Sequence, residues 1–407
     1  MHPKKLNIAF FVHSFPAVSE TFITNQIIQL IKAGHHVDIF AQFQAENTSM
    51  HGEVLKYNLL EKTVFLNTLP TKRIDKIFLF FAVLFRNIKL RNLSLALYYI
   101  PYLLGNKKRK VSFYSIIYFL DKPAYDIAHA HYGFIGNQVL LLKEIGLLQK
   151  AKLITTFHGF DFAVQHGGYE KLFAKGNLFT VNSNYSRSKL TALGCSEQKI
   201  KILPVGLDLT LFNHTASKHS NPNRKFKILF VGRLVPIKAP ELFVDICANL
   251  INQIDFQSQL IGDGEMLEVL QNKVESENLS CHIQLLGKQT QEQITAHLSE
   301  ADVLILTGKE IDGLAETQGL VIQEAQAMGV PVLVSNVGGM KEGIIPDKTG
   351  YIIERNNPTA FVEKIVHLYH NAALRKEMGN TARDYVTKKY DIQLLNSQLL
   401  DYYYQAV

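Results

Sequence analysis

The feature that most limits what this chain can become is a rhythm of apolar run, polar loop and helical period. It begins almost at the first residue and begins again midway. "KKLNIAFFVHSF" reads as a buried strand that ends in a polar loop. "ETFITNQIIQLIKAG" follows as a helix, with Phe22, Ile23, Ile27, Leu30 and Ile31 near a 3.6-residue period and Gly34 as its stop. "HVDIFAQF" is the next strand. A β-α-β opening of this kind is the usual start of an open parallel sheet. The apolar run Leu6 to Val12 is short and is broken by His13, so a first strand accounts for it better than a signal peptide. The first loop lacks the Gly-x-Gly-x-x-Gly set of a dinucleotide site.

"AHAHYG", "AKLITTFHGFD" and "NLFTVNSNYSRSKLTALG" continue the rhythm, and "QKIKILPVGLDLTLF" closes the first half. A polar stretch, "NHTASKHSNPNRK", follows, and then the pattern restarts. "FKILFVGRLVPIKAPELFVDICANL" reads as strand, basic loop and helix, and "DFQSQLIGDGEMLEVLQNKV" as strand, Gly-Asp-Gly turn and helix. "CHIQLLGK", "DVLILTG" and "PVLVS" supply further strands. The chain has 407 residues. That is too many for one ordinary core, so two α/β domains of about 200 residues are expected. The expected boundaries are 1–210, 211–385 and a helical tail, 386–407, packing back toward the first domain.

Composition narrows the class. With 47% hydrophobic and 19% charged residues the chain is a folded, core-rich protein. Cys195, Cys247 and Cys281 are odd in number and lack ligand spacing, which fits a reducing, cytoplasmic setting. Residues 1–205 hold 25 Lys and Arg against 12 Asp and Glu, and the remainder holds 18 against 24. The positive field therefore belongs to the first half. Its densest part, residues 72–110, carries ten basic residues and one acid, Asp75. The longest apolar run there, Ile77 to Phe85, is too short to cross a bilayer, which takes about 20 residues. Two readings fit: a helical pair on an anionic membrane surface, or a buried hairpin with a basic rim. Aliphatic runs interleave the basic residues without a stacking pattern, which speaks against a nucleic-acid partner.

The second half carries the candidate chemistry. Arg233 and Lys238 in "FVGRLVPIKAPE" lie between a strand and a helix. Two cations there suit a diphosphate and would offset charge on a departing one, although solvated loop cations are common. Glu316 and Glu324 in "ETQGLVIQE" stand eight residues apart, the first before a helix and the second within it. A carboxylate grips a vicinal diol through its two oxygens, so Glu324 fits a ribose and Glu316 the hydroxyls of a sugar. A surface acid and a solubilising helix acid would look the same. Gly319 and Leu320 open that helix, whose backbone N–H groups attract phosphate. Gly262 and Gly264 in "IGDGE", and Gly338 and Gly339 in "NVGGM", fit a close ligand approach or ordinary turns. No Asp-x-Asp or other divalent-metal cage is present in the sequence.

In combination, "GRLVPIKAPE", the E-x7-E pair and "EAQAMGVPVLVSNVGG" resemble the retaining glycosyltransferases of family GT4. "FPAVSETFI", "THGFD" and "NSNYSRSKL" resemble the branch that builds bacterial exopolysaccharides of colanic-acid or amylovoran type. The segment "TQGLVIQ" departs from the more frequent form in which Gly follows the first acid. The resemblance implies the GT-B fold, two Rossmann-like domains with parallel sheets facing across a cleft. It implies that Arg233 and Lys238 bind the diphosphate of a UDP- or GDP-sugar, that Glu324 holds the ribose, and that Glu316 lies at the sugar. His158 and Asp161 in "THGFD" would sit on the first domain's side, His158 at the sugar and Asp161 orienting it, meeting the acceptor or capping a helix. The implied reaction is hexosyl transfer with retention to a glycan or polyprenyl-linked glycan at the inner face of the cell membrane, with no cofactor and no metal. A nucleotide-sugar hydrolase or epimerase of the same fold is the competing expectation. Non-catalytic membrane or nucleic-acid binding is a further one.

Overall fold

The structure, a computed structural model, describes residues 4–17, 20–45, 52–66, 78, 119, 122–144, 146–163, 168–212 and 224–407. Apart from Phe78, the basic stretch 72–110 lies outside the described residues, as does most of the polar stretch after Phe212. The chain divides into two compact units. One comprises Met1–Val181, Lys189–Lys201 and Gln398–Val407, and the other Asn182–Ser188 and Ile202–Ser397.

Among the described residues the first unit has seven strands: β1 (Asn7–Phe15), β2 (His36–Gln44), β3 (Thr63–Phe65), β4 (Ile127–His131), β5 (Lys152–Thr156), β6 (Leu178–Val181) and β7 (Ile200–Ile202). Their order is β3-β2-β1-β4-β5-β6-β7. β1 pairs in parallel with β2 and β4, β2 with β3, β4 with β5, and β5 with β6. The sheet grows one way from β1 and then the other way through β4, so the switch point lies between those two strands. In open α/β sheets that crevice is where ligands sit, outside the carboxyl ends of the strands. Ile8–Val12 and Phe15 of β1 are buried, as the expected first strand should be, while His13 is exposed. The helix Thr21–Lys32 buries Ile23, Thr24, Ile27, Ile28 and Leu30. Phe22 is only half-buried, because its ring lies 5.2 Å from that of His158 instead of joining the core.

The second unit holds β8 (Phe226–Val231), β9 (Phe256–Ile261), β10 (Ile283–Gly287), β11 (Val303–Leu306), β12 (Val332–Ser335) and β13 (Gly350–Ile353). The order is β10-β9-β8-β11-β12-β13, and all five pairings are parallel. Here the switch point falls between β8 and β11. Phe230, Phe243, Phe256 and Phe361 are fully buried around this sheet. Each contributes roughly 2–3 kcal/mol of apolar burial.

The tail is two helices, Ala372–Lys389 and Ile392–Ala406, where one was expected. The break has a physical cause: Leu207 N–H donates to Tyr390 O at 2.8 Å and Ile392 N–H donates to Leu207 O at 2.9 Å. This strand-like exchange removes Tyr390 and Asp391 from any continuous helix. The last ten residues group with the first unit, where the fully buried Tyr403 shares a 2.6 Å hydrogen bond with His129 Nδ1.

Candidate active site

In the second unit the loops after β8 and β11 leave the sheet at its switch point, and they carry Arg233, Lys238 and Glu316. The β8 loop is held tightly. Lys238 N–H donates to Val235 O at 2.9 Å, and Lys309 N–H from the β11 loop donates to Ile237 O at 3.0 Å. Thr307 Oγ1 lies 2.8 Å from the carbonyl oxygens of both Lys238 and Ala239. Ala239 has φ +44°, left-handed backbone that a residue with a Cβ rarely adopts, and it is followed by Pro240. The strain buys a sharp turn between Lys238 and the helix Pro240–Leu250.

That turn sets the Lys238 ammonium against Glu316 Oε2 in a largely buried ion pair. The other carboxylate oxygen, Oε1, accepts from the backbone N–H groups of Thr317, Gln318 and Gly319 at 3.1, 3.4 and 3.2 Å. Burial alone would raise the Glu316 carboxyl. The Lys238 charge and the backbone donors outweigh it and hold the group below its ordinary value. Gly319 takes φ +74° at the start of the helix Leu320–Ala327, and its open backbone is what lets this nest close on Glu316. The helix mouth was expected to offer N–H groups at Gly319 and Leu320 to phosphate; Glu316 takes that of Gly319, together with those of Thr317 and Gln318 ahead of the helix. Gln318, in the departing "TQG" segment, pins the loop to the chain near Val205. Its side-chain amide accepts from Val205 N–H at 2.9 Å and donates to Val205 O at 3.0 Å.

Arg233 is exposed, and its carbonyl oxygen accepts from Val235 N–H at 3.0 Å, while its side chain makes no hydrogen bond or ion pair with any described residue. Gly262 and Gly264 are accounted for by packing. A Cβ at Gly262 would lie 1.8 Å from Gly232 O, and one at Gly264 would lie 2.5 Å from Leu234 O. These glycines let the β9 loop press against the backbone on either side of Arg233. Gly338 and Gly339 approach the Glu316 loop in the same way, and Gly339 N–H donates to Glu316 O at 2.8 Å.

Glu324 lies in the helix Leu320–Ala327, partly exposed, and its Oε1 accepts from Gln291 Nε2 at 3.3 Å. Desolvation raises its carboxyl to about 7, with Gln291 opposing. The sequence reading missed Gln291. It opens the helix after β10, at the same carboxyl edge as the other loops, and that position was the available signal.

In the first unit His158 follows β5. Its ring stacks on His131 at 5.4 Å and lies 4.7 Å from the Tyr132 ring. Desolvation lowers His158 to about 4. Asp161 is buried and accepts from Gly133 N–H and His158 N–H, each at 2.8 Å. It therefore orients the His158 backbone and caps the helix Gly133–Glu144, and it is too enclosed to meet a ligand. Tyr132, missed by the sequence reading, has φ +77° and donates from its hydroxyl to Glu20 Oε1 at 2.5 Å at this unit's switch point. Among the described residues no group of three or more His, Cys, Asp and Glu could hold a metal ion. No described helix is long and apolar enough to cross a membrane.

Residues 19–211 match the Glycosyltransferase Family 4 model, and residues 213–385 match the model for Glycosyl transferases group 1. The chain is 30% identical to a glycosyltransferase of Methanocaldococcus jannaschii, MJ1178, over 66% of this chain and 72% of that one. It is 27% identical to the amylovoran biosynthesis glycosyltransferase AmsK of Erwinia amylovora, over 97% of this chain and 98% of AmsK. WcaL of Salmonella typhimurium, provisionally named a colanic acid biosynthesis glycosyltransferase, is 28% identical over 97% of this chain and 98% of its own. Among solved structures, a glycosyltransferase from Rickettsia africae superposes with TM-score 0.71 at 20% identity, covering 99% of both chains. Anabaena HepE in complex with UDP gives 0.72 at 16% identity, covering 97% of this chain and 99% of its own. At that identity the likeness shows the fold, two Rossmann-like domains of the GT-B class. The chain belongs to the family 4 glycosyltransferases.

Proposed function

We propose that this glycosyltransferase moves a hexose from a nucleoside-diphosphate sugar, with retention of configuration, to a glycan or lipid-linked glycan during synthesis of a bacterial exopolysaccharide or other cell-surface polysaccharide. The observation that carries this reading is the Lys238–Glu316 pair, held on the two loops that flank the β8/β11 switch point, with Glu324 on the helix behind it. The names of AmsK and WcaL support the polysaccharide context, and the UDP bound to HepE supports the donor class.

Arg233 and Lys238 bind the donor diphosphate, and Glu324 grips the ribose diol. In transfer, the bond from the anomeric carbon to the phosphate oxygen breaks and the acceptor oxygen bonds to that carbon. The departing phosphate oxygen takes the acceptor proton. Negative charge then grows on the phosphate, where the two cations lower the barrier most effectively. When phosphate draws on Lys238, Glu316 is released from its partner to meet sugar hydroxyls and the positive character at the anomeric carbon. His158 donates a hydrogen bond to the sugar. The cations serve where a metal serves elsewhere, so turnover should persist in EDTA. The reaction takes place in the cytoplasm at the inner membrane face, which residues 72–110 approach through anionic lipid, and nucleic acid is not a partner.

A thermal-shift screen of UDP- and GDP-sugars, followed by proton NMR of the product's anomeric configuration, tests the proposal. A stabilising nucleotide sugar and a retained anomer are expected. Free sugar released without acceptor at the rate of transfer would point to a hydrolase instead.

A further inference from the structure

Beneath His158 lies a buried histidine that the reaction as described does not use. His131 ends β4, and strand register sets it beside Thr156, two residues before His158. Its ring is 2% exposed and stacks between those of His129, at 4.6 Å, and His158. His131 Nδ1 lies 3.1 Å from His158 Nε2. Its other nitrogen, Nε2, is buried with no hydrogen-bond partner.

Desolvation holds His131 well below its ordinary pKa and His158 at about 4, so each ring carries one proton near neutrality. The shared hydrogen bond then admits two arrangements. If His131 is protonated on Nε2, a buried N–H has no acceptor. If it is protonated on Nδ1, that N–H donates to His158 and only a lone pair at Nε2 is left bare. An orphaned buried donor is the rarer and costlier outcome. The second arrangement makes His158 Nε2 an acceptor and places the His158 proton on Nδ1. That nitrogen has no partner among the described residues, and the His158 ring is partly exposed.

We propose that His131 is a positioning residue that sets the tautomer of His158, so that His158 presents Nδ1–H as a hydrogen-bond donor to a hydroxyl oxygen of the transferred sugar. The sugar contact rests on the function proposed above; the tautomer does not. His158 in this state cannot act as a base through Nε2, whose lone pair is occupied. His129 does not compete for either ring, since its nitrogens meet Tyr403 and Thr156 hydroxyls at 2.6 and 2.7 Å.

The test is two-bond proton–nitrogen correlation NMR on the full chain labelled with 15N-histidine, with His158 assigned by its loss in His158→Gln. The expected wild-type spectrum has His158 protonated on Nδ1. His131→Asn, whose amide can replace the Nδ1 donor, should keep that pattern. His131→Asp, whose carboxylate can only accept, should draw the His158 proton to Nε2. In turnover, His131→Asp should lower kcat about tenfold with donor KM little changed, while His131→Asn should stay near wild type. A wild-type His158 protonated on Nε2, or a His158 tautomer unchanged in His131→Asp, would overturn the proposal. Full activity of His158→Ala would instead remove the sugar contact and leave the tautomer result standing.

Discussion

Glu324 and Lys238 show how burial and charge act at single residues. Glu324 has its pKa raised to about 7 in the folded chain from an ordinary 4.5. Its protonated form is thus the one that folding favours. That contribution is complete below about pH 4.5 and is lost as pH rises through about 7. Glu324→Gln should flatten the stability profile over this window and melt above wild type at pH 8, as read by thermal denaturation at a series of pH values. Nucleoside diphosphate binding should show the opposite slope. Wild type should bind more weakly at pH 6 than at pH 8, as the diol-gripping carboxylate is lost, while Glu324→Gln should be weak and flat across the range in calorimetry. For Lys238, removing the ammonium leaves Glu316 buried with backbone donors alone. Lys238→Ala should lower kcat/KM by about 100-fold, the usual scale for losing one group that answers transition-state charge. A loss under threefold would assign the lysine to the Glu316 loop's structure only. His131 was illegible in the sequence for a simple reason: 27 residues separate it from His158, and only the β4–β5 register brings them together.

Elements decide whether these residues meet. Strands and helices were readable where apolar runs are long and bounded by Gly, Pro or polar residues, as in β1, β8 and the helix Pro240–Leu250. The three-residue β3 and four-residue β13 carry too little pattern to stand out, and β13 is specified instead by pairing with β12. The Lys238–Glu316 meeting was legible only as a pair of loops after strands. The closure of Glu316 on its own downstream N–H groups was not, because it depends on the φ of Gly319. The second sheet is anchored by Asp302 at the foot of β11. This buried carboxylate holds Arg224 through both oxygens, at 2.6 and 2.8 Å, accepts from Lys227 N–H at 2.9 Å, and has Arg375 Nε at 3.4 Å. Asp302→Ala would strand two guanidinium groups and should cost about 3 kcal/mol in urea unfolding. An effect below about 1 kcal/mol would show the cluster to be solvated. Gly262→Ala works through a loop. Its Cβ would meet Gly232 O, so the Arg233 segment must move, and donor affinity should fall with only a partial loss of stability.

For the whole molecule, repetition was the most readable property: two α/β halves of about 200 residues, each with its own switch point. Charge divides the halves. The first 205 residues carry a surplus of basic side chains, concentrated in 72–110. Replacing Lys107, Lys108, Arg109 and Lys110 with Gln should reduce flotation with anionic vesicles in a salt-sensitive way and leave donor binding in solution unchanged. Base, sugar and acceptor were not legible, because no residue pattern in the sequence encodes them. The central claim is that the second half grips a nucleoside diphosphate through Arg233, Lys238 and Glu324. Calorimetric titration of UDP and GDP into wild type, Arg233→Ala, Lys238→Ala and Glu324→Ala tests it most directly. The account predicts one site in wild type for at least one nucleotide, and affinity at least about tenfold weaker in each variant. Equal affinity in wild type and all three variants, or no binding of either nucleotide, would contradict it.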